Sequence, residues 1–191
     1  MKRICVFTGS SPGARQEYAE AAKNLGKLLV NENIQLVYGG GDVGLMGIVA
    51  NTVMQEGGEA IGVIPEFLAR KEIANNELTE LHVVDSMHER KALMSELSDG
   101  FIAMPGGIGT FEELFEIMTW RQLGVQVKPC AVFNVCNYYA ALTEQLDHAV
   151  AEKFLKPMHR DMLIVSENPV EIIQKMRAQP AEYQDKWVEK V

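Results

Sequence analysis

Short apolar runs alternate with amphipathic stretches along the chain. Ile4 to Phe7, Ile34 to Tyr38, Ala60 to Ile64, Leu81 to Val84, Phe101 to Met104, Ala131 to Val135 and Met162 to Val165 are each four or five residues long. Runs this short, bounded by turn residues, predict buried strands. Between them Ala21, Leu25, Leu28 and Leu29 recur at helical spacing, and helices are predicted over Leu45 to Gln55, Met87 to Leu97 and Phe111 to Leu123. Asn168-Pro169 opens the last helix, since proline suits the first helical position. Ala69 to Thr79 is polar and irregular and reads as a loop with a short helix. About seven strands with helices between them predict an α/β three-layer sandwich around a mostly parallel sheet, because parallel strands need crossover connections. Ligands in such sheets bind where strands end and helices begin.

Composition narrows the function. The 191 residues fit one domain, 1–191, whose core needs neither disulfide nor metal. A net charge of −8 argues against binding a nucleic-acid polymer or a membrane surface, which call for a basic face. It points instead to a small anionic ligand held by a few local donors. Cys5, Cys130 and Cys136 form no C-x-x-C pair, and His82, His88, His148 and His159 show no metal-ligand spacing, so no metal is expected. The apolar run after Met1-Lys2-Arg3 breaks at Gly9-Ser10-Ser11-Pro12, too early for a signal core, and a cytoplasmic location is expected.

Glycine-rich turns occupy the ligand-binding end of this architecture. Gly39-Gly40-Gly41-Asp42-Val43-Gly44 contains G-x-G-x-x-G between a strand and a helix, and Glu66 ends the next strand where a ribose-binding acid would stand. The pattern fits either a dinucleotide site or glycines that permit tight strand–helix packing. Pro105-Gly106-Gly107-Ile108-Gly109-Thr110 also opens a helix, and its amides can meet a phosphate at the positive helix end. Glu113 completes a Thr110-x-x-Glu113 capping box, so spacing allows a helix cap as readily as a catalytic carboxylate. Thr8-Gly9-Ser10-Ser11 gives the weakest signal and is expected only to line the pocket.

Arg90 stands out on its helix, which a second capping box, Ser86-x-x-Glu89, opens. It shares a stripe with Leu93, Met94 and Leu97, and it puts a cation in the first helical turn, which the helix dipole disfavours by ~0.3–1 kcal/mol. Either the side chain snorkels over apolar surface or an anion faces it. The Phe111 to Leu123 helix also carries Ile117 and Trp120 off its main stripe, more apolar surface than one sheet contact uses, which suggests a partner.

Pro105-Gly106-Gly107-Ile108-Gly109-Thr110-x-x-Glu113 resembles the PGGxGTxxE signature of the LOG family, cytokinin riboside 5′-monophosphate phosphoribohydrolases long labelled lysine decarboxylases. The likeness extends through the Gly-Ser-Ser end of the first strand, Tyr38-Gly39-Gly40-Gly41, Gly44-Leu45-Met46-Gly47, Met87-His88-x-Arg90-Lys91, Thr119-Trp120 and Gln122-Leu123-Gly124. It implies a Rossmann-like fold, a homodimer, no cofactor, and hydrolysis of the base–ribose bond of a nucleoside 5′-monophosphate. By the same resemblance Arg90 and Glu113 are catalytic. Gly106, Gly107, Ile108, Gly109 and Thr110 form the substrate-binding turn, with the stretch from Gly107 to Thr110 around the phosphate, and Glu72, Lys91 and Thr119 also contact the nucleotide. Competing readings are a non-catalytic carrier of nucleotide or molybdenum cofactor with a similar fold, a nicotinamide-dependent oxidoreductase built on the Gly39 turn, and, weakest, a lysine decarboxylase.

Overall fold

A computed structural model describes residues 1–69, 74, 75 and 77–179. Its strands are β1 (Arg3–Phe7), β2 (Gln35–Tyr38), β3 (Ala60–Pro65), β4 (Glu80–Val84), β5 (Gly100–Ala103), β6 (Cys130–Phe133) and β7 (Leu163–Ser166). The helices are α1 (Gln16–Asn31), α2 (Gly44–Gln55), α3 (Glu66–Ala69), α4 (Met87–Leu97), α5 (Ile108–Gln122), α6 (Ala140–Ala151), α7 (Pro157–Arg160) and α8 (Pro169–Ala178). All seven strands pair in parallel, in the order β4-β3-β2-β1-β5-β6-β7.

Alternation along each strand builds two cores. Ile4, Val6, Leu36 and Tyr38 face one side of the sheet and pack with residues of α1, α2 and α8, among them Leu25, Val49 and Ile172. Cys5, Phe7, Val37 and Phe101 face the other and pack with Met94 of α4, Leu114 and Ile117 of α5, and Leu146 of α6. Successive strand side chains must point to opposite faces, so a strand covered on both sides is apolar throughout. β4 lies at the sheet edge and is correspondingly half-exposed, with Val83 in solvent. Asn168 caps α8 by accepting from the Val170 amide, and Pro169 fills the first turn as expected.

The strand order reverses between β1 and β5, which makes their carboxyl ends the topological switch point. Register brings the neighbouring ends level: Val6 lies opposite Tyr38 of β2, and Phe7 opposite Ala103 of β5. The turns after β1, β2 and β5 therefore emerge side by side. Among the described residues no helix is long and apolar enough to cross a membrane.

Candidate functional site

The turn after β1 joins the other two. The Gly9 amide donates to the Pro105 carbonyl at 3.1 Å, and the Thr8 hydroxyl donates to the same oxygen at 3.2 Å. On its other side the Gly9 carbonyl accepts from Leu45 at 3.0 Å and Met46 at 3.4 Å, the opening amides of α2. The segment expected to contribute least is thus the hinge pin of the whole site.

That bonding decides the role of the Gly39–Gly47 turn. An anion at the start of α2 would need amides that Gly9 already occupies. Gly44 has φ of +56°, and a β-carbon there would collide with Ser10 and Ser11. The Leu45 and Met46 amides are therefore not available to a pyrophosphate, and Glu66, exposed at the start of α3, does not line the pocket. The glycines serve close packing, which removes the physical basis of the oxidoreductase reading. Gly39 also makes room for a neighbour, since a β-carbon on it would run into the Arg90 guanidinium.

Arg90 does not snorkel. It is 5% exposed, with Nε donating to the Val63 carbonyl at 3.1 Å and Nη2 to the Gly39 carbonyl at 2.9 Å. The partial negative charge of these carbonyls offsets the unfavourable helix position. Ser86 caps α4 as expected by accepting from the Glu89 amide at 3.2 Å, and Glu89 reaches back to the Asp85 amide at 2.9 Å.

Helix α5 starts three residues earlier than the apolar stripe predicts, with Gly107 as its N-cap and no side-chain cap. Thr110 consequently lies inside the first turn, 3% exposed, and Glu113 is the sixth helical residue. The Thr110-x-x-Glu113 capping box does not form. Glycine at the cap hid this boundary, because it carries no side-chain signal. The amides of Ile108, Gly109 and Thr110 have no carbonyl one turn back to bond. Gly107 and Gly109 are exposed there, and a β-carbon on either would meet nothing within 4 Å.

One pocket of about 150 Å³ gathers these features, lined by Gly9, Gly39, Arg90, Gly107, Gly109, Thr110, Glu112 and Glu113, with Met46, Met87 and Met94 as apolar wall. Its size suits a sugar phosphate, since sites for whole drug-sized ligands run to roughly 300–1,000 Å³. The buried Cys5 thiol is pushed up first by burial and then by the Glu113 carboxylate, with Arg90 opposing, so both charges are felt in the sheet beneath the pocket.

Other described residues expected to contact the nucleotide do not line this pocket. The Lys91 ammonium pairs with Glu112 and Glu116 and bridges α4 to α5. Burial opposes its charge, but the two carboxylates hold it above its usual range. Ile108 is 83% exposed beside the pocket. Thr119 is exposed, donates to the Phe115 carbonyl at 2.7 Å, and stands about 13 Å along α5 from Thr110 at 1.5 Å per residue. Glu72 lies outside the described residues. Among the described residues no cluster of three or more His, Cys, Asp or Glu could hold a metal.

Sequence reasoning missed Tyr138 and Tyr139. The Tyr139 hydroxyl donates to the Met104 carbonyl at 2.6 Å, and the Tyr138 hydroxyl donates to the Gly106 carbonyl. Burial pushes the Tyr139 phenol far up, with Tyr138 and Cys130 adding, so it remains a donor. Paired tyrosines after a strand look like ordinary core aromatics. Only the tertiary path of the chain shows where their hydroxyls go.

Comparison with known proteins bears on the family and the fold. The family described as "Possible lysine decarboxylase" matches residues 46–176. A probable cytokinin riboside 5′-monophosphate phosphoribohydrolase of Oryza sativa subsp. japonica is 48% identical over 177 residues, covering 93% of this chain and 71% of the relative. The cytokinin riboside 5′-monophosphate phosphoribohydrolase of Rhodococcoides fascians is 48% identical over 165 residues, 86% of this chain and 83% of the relative. The molybdenum cofactor binding protein of Rippkaea orientalis superposes with a TM-score of 0.69 at 20% identity, over 93% of this chain and 97% of that one. At that identity the likeness speaks for the Rossmann-like fold alone. Family match and relatives together place this chain in the LOG family of phosphoribohydrolases, the one whose family description still reads "Possible lysine decarboxylase".

Proposed function

We propose that this chain hydrolyses the N-glycosidic bond of nucleoside 5′-monophosphates, AMP or its N6-substituted forms, to free base and ribose 5-phosphate. The observation that carries the reading is the convergence of a buried arginine, a carboxylate and an open helix N-terminus on one pocket. The opening amides of α5 receive the phosphate, where the helix dipole favours negative charge. Breaking the bond builds positive charge on the sugar, as in glycoside hydrolysis. The Glu113 carboxylate stabilises that charge, holds the ribose hydroxyls and orients the attacking water. Arg90, fixed by two carbonyls, holds the substrate anion or assists departure of the base. The steps ask for no cofactor.

Incubating the purified protein with AMP and N6-substituted AMP and separating the products tests this. Free base together with ribose 5-phosphate is the expected result. Tight binding without release would favour the carrier reading.

The same reading includes a homodimer. Ile117 and Trp120, the residues that suggested a partner, pack inward instead: Ile117 is 2% exposed, and Trp120 lies half-buried on the core. The exposed apolar stripe along α5 consists of Ile108 and Phe115, continued past its end by Leu123 and Val125. Positions seven or eight apart share a helix face, and such a face is suited to a second copy. Thr119 borders the stripe and would join a nucleotide site only from a neighbouring protomer. Sedimentation is expected to give a dimer of 21.2 kDa chains, reduced to monomer by Phe115→Glu.

A further inference from the structure

Three successive carbonyls of the β5–α5 turn are tied down. Met104 accepts from the Tyr139 hydroxyl, Pro105 from Gly9 and Thr8, and Gly106 from the Tyr138 hydroxyl. The last matters most for an incoming anion. The Gly106 carbonyl and the Gly107 amide belong to one planar trans peptide, so they point in opposite directions. Holding the oxygen on one side aims the N–H to the other.

The device that brings Tyr138 to this oxygen is strained. After β6 the chain passes through Cys136 (φ 52°, ψ 35°) and Asn137 (φ 59°), consecutive non-glycine residues in the left-handed region. Side chains with a β-carbon disfavour that region, and such outliers persist where surrounding structure holds them. Here Asn134 holds them: its Oδ1 accepts from the Tyr139 amide at 2.7 Å, and its Nδ2 donates to Asn137 at 3.3 Å. The reversal turns Tyr138 back over the site, where its ring stacks on Phe111 of α5 at 6.4 Å and meets Tyr18 of α1 edge-on at 5.9 Å.

We propose that Tyr138 is a positioning residue for phosphate recognition: its hydroxyl fixes the Gly106 carbonyl and so directs the Gly107 amide toward the 5′-phosphate. The strained Cys136–Asn137 reversal is the mount that delivers it. This rests on the reading of the α5 N-terminus as the phosphate subsite.

Tyr138→Phe keeps the ring packing and removes only the hydroxyl. Steady-state kinetics with AMP and competition by ribose 5-phosphate test the idea. Weakening the charge-assisted bond from the Gly107 amide to the phosphate by about 1.4 kcal/mol corresponds to about tenfold. KM for AMP and the inhibition constant of ribose 5-phosphate are both expected to rise by about that factor. Because the contact acts equally in ground and transition state, kcat is expected to stay within about threefold. Unchanged constants would overturn the proposal, as would a fall in kcat as large as the rise in KM, which marks general loosening of the site. Ribose 5-phosphate failing to compete in the unsubstituted protein would remove the phosphate subsite itself. Competition that survives equally in Tyr138→Phe would remove only the role of Tyr138.

Discussion

Glu113→Gln is expected to leave a folded protein whose turnover of AMP has fallen by about 10²-fold or more, the scale on which a positioned acid or base acts. Local spacing would have allowed a different outcome, because Thr110-x-x-Glu113 reads as a capping box and glutamine can complete one. The structure withdraws that alternative. α5 begins at Ile108 behind Gly107, so the carboxylate stands on the sixth helical residue, beyond the capping positions. Glutamine preserves its volume and can still bond a ribose hydroxyl, but it brings no negative charge to the developing oxocarbenium ion. Single-turnover chemistry beside a thermal melt separates the two quantities. Wild-type turnover in Glu113→Gln would end the catalytic assignment.

Arg90→Ala is expected to damage both activity and stability, and the second loss follows from its hydrogen bonds. Its guanidinium satisfies the Gly39 and Val63 carbonyls in the interior, and a buried acceptor left without a partner costs roughly 1–3 kcal/mol. Nucleotide hydrolysis should drop by about 10²-fold or more, the range seen when a preorganised donor is removed. Gly39→Ala offers an independent route to the same group. Its methyl would come within 2.1 Å of Nη2 and push the arginine off the Gly39 carbonyl without touching its charge. Loss of activity in both variants, followed by denaturant melts, is the expected pattern. Full hydrolysis in Gly39→Ala would show that the seating of Arg90 is irrelevant to the chemistry.

Periodicity and the structure agree on every strand to within about two residues, and in the inner strands this is because a parallel sheet covered on both faces leaves a nearly continuous apolar run. The Pro105 turn was legible as a candidate anion site because glycines opening a helix can leave its first amides accessible, although the same signal at Gly39–Gly44 serves packing. Arg90 was legible as an anomaly, a cation on an apolar stripe, although the spacing could not say that two carbonyls receive it. What stayed hidden depends on partners distant in sequence. Gly9 carries no pattern of its own, yet its peptide bonds Pro105 on one side and Leu45 on the other. Nothing local to Lys91 shows its partners, because Glu112 and Glu116 close on it only when α4 and α5 are packed. Ile117 likewise looked like surplus surface because a helix wheel does not show that α5 lies deep enough to bury it.

The Gly9 peptide also bears on how the protein acquires its site. It bridges segments 36 and 96 residues away, Leu45 and Pro105, so the pocket has no local precursor. Contacts this distant form only after the closure entropy of the intervening chain has been overcome, which is slow in parallel sheets. A nascent chain ending before β5 holds Arg90 but neither the α5 amides nor Glu113. On the proposed reading, affinity for nucleotide therefore arises only once β5 and α5 are in place, and a ligand that binds there draws the folding equilibrium toward the completed sheet.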